Sequence, residues 1–161
     1  MLKYIPSLTD IVIEEIPDRV TLAVEITNCQ GNCPGCHSPF LRDDIGEELT
    51  AKAIDRMMED NYGVNCFLFL GEGRDSDALF ALADHVRSGY PGVETALYTG
   101  REKVGAEYSA HFDFIKTGPY IESLGPLNKR TTNQRLYYRG EDITSRFWKR
   151  SIHFLLLHLS G

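Results

Sequence analysis

Three cysteines fall within eight residues, Cys29, Cys33 and Cys36, in the pattern C-x3-C-x2-C. Small and turn-forming residues fill the gaps, so the backbone can curl until the sulfurs face one point. Thiolates are soft ligands that suit iron–sulfur clusters and zinc. A cubane cluster has four irons, so three cysteines would leave one iron open to an exogenous ligand. Two rival chemistries draw on the same residues. One is a structural zinc site with His37 as fourth ligand. Adjacent residues such as Cys36 and His37 point apart, however, and the remaining cysteine, Cys66, sits mid-strand. The other is a redox dithiol, because Cys33-Pro34-Gly35-Cys36 is a C-x2-C carrying Pro and Gly. That reading leaves Cys29 without a role, whereas cluster ligation uses all three thiols.

A second candidate is Gly71-Glu72-Gly73, which follows an apolar run. In α/β proteins ligands bind beyond the carboxyl ends of strands, and glycine there lets the backbone approach a ligand closely. Turn chemistry alone would also account for it. Arg74 and Asp75 follow directly and could help hold a ligand's polar groups. Cys66 stands among Phe67, Leu68 and Phe69 and reads as core.

The elements that must position these residues are legible from periodicity. Residues 10–16 and 20–27 read as strands, the first ended by Pro17-Asp18. Pro39 suits the start of a short helical turn after the cysteine loop. Residues 50–60 read as a helix capped by Thr50, with Ile54, Met57 and Met58 at helical spacing. Residues 64–70 have the length and apolarity of a buried parallel strand. Residues 76–87 form a second helix, with Ser76 as cap and Leu79, Leu82, Ala83 and Val86 on one face. A strand at 93–98, a short helix at 101–110 and a strand at 112–116 follow. Residues 136–143 read as a late strand or hairpin. Strands alternating with helices predict parallel βαβ units. Four or five units are too few for a closed eight-stranded barrel, which takes ~250 residues. The expected fold is α/β, an open or partial parallel α/β barrel.

At 161 residues the chain fits one domain, with its core expected over about 20–148. The net charge of −6 argues against a nucleic-acid surface, which needs clustered Lys and Arg. No apolar run approaches the ~20 residues that span a bilayer. The amino terminus lacks a long apolar stretch, so no signal peptide is expected. Clustered cysteines then predict a reduced compartment, the cytoplasm. Residues 151–161 are crowded with apolar side chains, and no chemistry is assigned to them.

C-x3-C-x2-C just after an early strand resembles the radical S-adenosylmethionine (SAM) enzymes. The resemblance implies that Cys29, Cys33 and Cys36 hold a 4Fe–4S cluster whose open iron takes the amino and carboxylate groups of SAM. It implies a partial barrel of the radical SAM type. It assigns Gly71, Glu72 and Gly73 to a Gly-Gly-Glu-type motif at the SAM amino group, with Leu70 where the first glycine would stand. Backbone around Cys36, with Gly35 and His37 flanking it, would touch the adenine. Tyr98-Thr99-Gly100, Gly118-Pro119-Tyr120 and Asn133-Gln134-Arg135, in this order, resemble one subfamily: the activating proteins of anaerobic ribonucleoside-triphosphate reductase. Asp113 is compared with an acidic strand-end residue of that subfamily. The implied activity is reductive cleavage of SAM and formation of a glycyl radical on anaerobic ribonucleotide reductase. A flavodoxin or ferredoxin is the implied electron donor.

Overall fold

Four short apolar runs pair side by side at the centre of the molecule. The computed structural model describes residues 1–30 and 39–148. In chain order its strands and helices are Lys3–Tyr4 (β1), Asp10–Val12 (β2), Thr21–Glu25 (β3), Glu47–Glu48 (β4), Ala51–Asp60 (α1), Cys66–Leu70 (β5), Ser76–Gly89 (α2), Glu94–Tyr98 (β6), Phe114–Thr117 (β7), Arg135–Tyr138 (β8) and Glu141–Asp142 (β9). Single 3-10 turns lie at Pro6–Leu8, Pro39–Arg42 and Ala106–Ala110.

A seven-stranded sheet has the order β2-β3-β5-β6-β7-β8-β9, and β1 pairs β4 in a separate two-stranded ribbon. Strands β3, β5, β6 and β7 are mutually parallel. The edges are antiparallel, where a partial parallel barrel with a late strand or hairpin at 136–143 was expected. Parallel neighbours need a crossover, usually a helix, and the edge connections carry none. Between β8 and β9 there are only Arg139 and Gly140, both with positive φ (48° and 88°). That is the left-handed pair of a type I′ hairpin turn. The two ends of the order, β2 and β9, do not pair with each other among the described residues.

Helix α1 begins where expected, with Thr50 accepting from the Ala53 amide at 3.0 Å. Helix α2 is capped by Asp75 instead of Ser76, its carboxylate accepting from the Ala78 amide. An aspartate in extended backbone reaches the third amide as well as a serine does. The expected helix at 101–110 shrinks to the 3-10 turn at Ala106–Ala110, which Gly105 precedes without a side-chain cap. The expected strand at 10–16 pairs only as far as Val12.

Both helices pack on one face of the sheet. Leu22, Val24, Phe67, Phe69, Leu97 and Ile115 meet Ile54, Leu79, Ala83 and Val86 there. Alternate residues of the same strands, Ala23, Cys66, Leu68, Ala96, Phe114 and Leu136, face the other way. Irregular chain covers that inner face through Ile16, Leu127 and Ile143. At its amino-terminal edge Glu94 accepts from Arg19 at 2.6 Å and from the Tyr138 hydroxyl at 2.7 Å. These bonds tie the link after β2 to β6 and β8. No helix among the described residues is long and apolar enough to cross a membrane.

Cys66 is fully buried, and burial pushes its thiol up to about 12. An unfolded thiol titrates near ~8.5, so the folded state keeps a proton that the unfolded chain gives up. The resulting stability is whole below about pH 8.5 and drains away as pH rises toward the folded value. We expect Cys66→Ala to lose stability less steeply between those limits, by up to about 1.4 kcal/mol per pH unit. Urea unfolding at stepped alkaline pH measures it.

Candidate functional site at the carboxyl ends of the parallel strands

Strands β3 and β5 run side by side in register, Glu25 opposite Leu70. Each strand pairs one residue past its end, Ile26 with β5 and Gly71 with β6. The Ile26 amide donates to Leu70 O at 3.1 Å, and the Gly71 amide to Tyr98 O at 3.0 Å. The two motif segments therefore leave adjacent strands at the same rim, one into Asn28 and Cys29, the other into Gly71-Glu72-Gly73.

Asn28 turns the chain into the cysteine loop. Its φ is +61°, a left-handed conformation that Asn tolerates better than most residues. Every polar group it carries is used. Its amide donates to Asp43 O at 3.2 Å, and its carbonyl accepts from Gln30 Nε2 at 2.6 Å. Its side-chain nitrogen donates to Asp44 Oδ1, and its side-chain oxygen accepts from Arg74 Nη2 at 2.5 Å. The Cys29 amide donates to Leu41 O at 2.8 Å. The segment from 29 to 41 is thus closed at its neck and tied to the residue after Gly73. Thr27 adds a second tie, its hydroxyl donating to Ile45 O at 2.8 Å. Cys29 is exposed at this neck. Cys33, Gly35, Cys36 and His37 lie outside the described residues.

The glycine turn requires its glycines. Gly71 and Gly73 have φ of +113° and +66°. A Cβ on Gly73 would also stand 2.7 Å from Leu2 Cδ2 and 3.3 Å from Ile26 Cγ2. Between them the Glu72 carboxylate is saturated. It accepts from the Tyr108 hydroxyl at 2.7 Å and from the Thr99 hydroxyl, and it pairs with Arg101 Nε at 3.2 Å. Burial, and then this carboxylate, push the Tyr108 hydroxyl up to about 12. With its side chain so occupied, the turn can offer a ligand only its backbone.

The two residues after the turn serve the frame. Arg74 is spent on Asn28. Asp75 caps α2 and pairs with the amino terminus of Met1. Asp113 lies at the opposite, amino-terminal edge of β7. It is buried, accepting from the Thr95 amide at 3.0 Å and pairing with Arg139 Nε at 3.3 Å. Two of the late motifs do meet. Gln134 Nε2 donates to Gly118 O at 3.3 Å and Asn133 Nδ2 to Pro119 O at 3.0 Å. A Cβ on Gly118 would come within 3.1 Å of Gln134 Cα. Lys116 Nζ also donates to Gly118 O, at 3.1 Å, and sits 5.3 Å from the Tyr98 ring centroid.

Sequence reasoning passed over Glu25 and Asn28. Glu25 ends β3 on the inner face, half-buried, with its carboxyl held above the usual range by burial. The signal was available: alternation over 20–27 sets Glu25 on the face of Ala23, opposite Val24.

Among the described residues no three His, Cys, Asp or Glu side chains converge on a point where a metal could sit. The donor set nevertheless fits an iron–sulfur cluster. Three thiols share one loop, and the described one, Cys29, is exposed at a neck held beside a backbone-presenting turn. A cavity of about 260 Å³ opens elsewhere, on the helix side of β7 and β8, against Phe112, Ile115 and Tyr137. Compared with protein-family models, curated proteins and solved structures, the chain matches none.

Removing one donor tests the Glu72 clamp. Tyr108→Phe is expected to cost about 1.5 kcal/mol, as for loss of a hydrogen bond to a charged group. Amide hydrogen exchange should quicken at Gly71, Glu72 and Gly73 more than in α1.

Proposed function

We propose that the chain is a radical SAM activating enzyme, a partial α/β barrel that generates a glycyl radical on anaerobic ribonucleoside-triphosphate reductase. The observation that supports it most is the neck at Asn28 and Cys29. It holds the start of the C-x3-C-x2-C loop beside Gly71-Glu72-Gly73, at the carboxyl ends of two adjacent parallel strands. That rim is where ligands of α/β sheets bind.

Cys29, Cys33 and Cys36 would hold the 4Fe–4S cluster, and the backbone of Gly71, Glu72 and Gly73 would meet the polar end of SAM. When bound, the cluster supplies the electron for reductive cleavage of SAM, whose adenosyl fragment takes a hydrogen atom from the partner's glycine. The protein's own work is positioning. Asn28 and Arg74 fix the first thiol relative to the glycine turn. Thr99, Arg101 and Tyr108 hold Glu72 away from the ligand and so set which way the turn's backbone faces. Gly35 and His37 would line the adenine side, following the resemblance. Homolysis needs no general base, so this reading requires no acid–base pair. A glycine loop of the partner would enter at the open rim, and a flavodoxin or ferredoxin would deliver the electron.

Anaerobic reconstitution with iron and sulfide, then dithionite and SAM, tests this reading. We expect a brown protein that releases 5′-deoxyadenosine. Cys29→Ala, Cys33→Ala and Cys36→Ala should each release it at least about a hundredfold more slowly, since all three thiolates are needed to hold the cluster. A wild-type protein that takes up no iron and forms no product would replace this reading with a dithiol at Cys33 and Cys36, or a zinc site.

A further inference from the structure

The inner face of the sheet ends at this rim in a transverse row. Glu25 stands opposite Leu70, Leu70 opposite Tyr98, and Tyr98 opposite Lys116. Leu70 immediately precedes the glycine turn, and Glu25 lies four residues before Cys29. Glu25 is half-buried; its carbonyl accepts from the Ile5 amide at 3.2 Å, but its carboxylate has no hydrogen-bond or ion-pair partner among the described residues. Cations of the neighbouring segments are engaged elsewhere: Arg74 with Asn28, Lys3 with Asp44 at 2.9 Å, and Lys116 at the Gly118 carbonyl. The Tyr98 hydroxyl donates to Glu15 O.

A carboxylate taken partly out of water without a counter-charge is a net cost to folding. The contrast with Glu72, partly buried like Glu25 but met by three donors, is direct. A positively charged ligand on this rim would supply the missing partner.

We infer that Glu25 is a ligand-binding residue, its carboxylate receiving a cationic group of the molecule that occupies the rim. Resting on the radical SAM reading above, that molecule is SAM, whose sulfonium stays cationic when its amino group ligates the open iron. Glu25 then does two opposed things. It destabilises the empty protein, and it selects a charged nucleoside over an uncharged one of similar shape.

The test uses the reconstituted protein, wild type and Glu25→Gln, matched for iron content. Calorimetric titration with SAM and with uncharged 5′-methylthioadenosine reads the charge preference. Glu25→Gln should bind SAM about tenfold or more weakly, the loss of one charge-assisted contact, and bind 5′-methylthioadenosine within twofold of wild type. Without nucleoside, Glu25→Gln should melt at a higher temperature than wild type, because an uncompensated charge is gone. Equal SAM affinity in the two proteins, an equal loss for both nucleosides, or a lower melting temperature for the variant would each overturn the inference while leaving the radical SAM reading in place. A wild-type protein that binds neither nucleoside overturns that reading, and this inference with it.

Discussion

Parallel pairing of Thr21–Glu25 with Cys66–Leu70 decides what can happen at the rim. Side chains alternate along a strand, so a slip of one residue would carry every inner residue to the helix side. A slip of β3 would turn Glu25 toward the helices and Val24 toward the inner face. Fully buried apolar side chains on both faces make that shift prohibitive. The register also fixes where the two segments emerge. Ile26 and Gly71 continue the pairing by one step each, so Asn28 and Gly73 begin their turns on neighbouring strands.

The loop neck is stiff because its polar groups are exhausted on one another. Asn28 alone engages four partners: Asp43, Gln30, Asp44 and Arg74. It must hold a left-handed φ to do so, and strain of that kind persists only where surroundings over-determine it. The ribbon of β1 and β4 adds support from outside. It brings Lys3 to Asp44 and carries the carbonyl of Lys3 to the Thr27 amide at 3.0 Å. Segments of two residues each would be negligible as strands, yet here they close the frame around the first cysteine.

Much of this was legible in the sequence. The central strands and both helices announced themselves through apolar runs and helical spacing, and Thr50 announced its cap. The cysteine spacing marked the loop, and the glycines marked the turn. What was not legible depends on partners distant in sequence. Nothing near Asp75 tells that it outranks Ser76 as cap, or that Arg74 reaches back to Asn28. The strands β1 and β4 are too short for any periodicity to appear. The sheet edges were misjudged for a related reason. Alternation reports a buried face but not direction, and direction follows from connections that lack a helix. Asp113 allows two readings in sequence, a solvated strand end or the subfamily's acidic residue, and neither shows that Arg139, returning on the hairpin, meets it in the interior.

Two carboxylates on one rim show how the same group takes different work from its surroundings. Glu72 belongs to the turn and is met by a tyrosine, a threonine and an arginine, all from the chain between β6 and β7. Its charge is compensated within the protein, so it holds geometry and has nothing left for a ligand. Glu25 lies beside an apolar leucine and a tyrosine whose hydroxyl is already donated. Its charge is uncompensated, so its interaction energy is still available. When titratable groups sit in environments that differ this way, their roles separate accordingly. On this rim the residue that a motif points to supports the frame, and the residue that no motif mentions keeps its charge unpaired among the described residues.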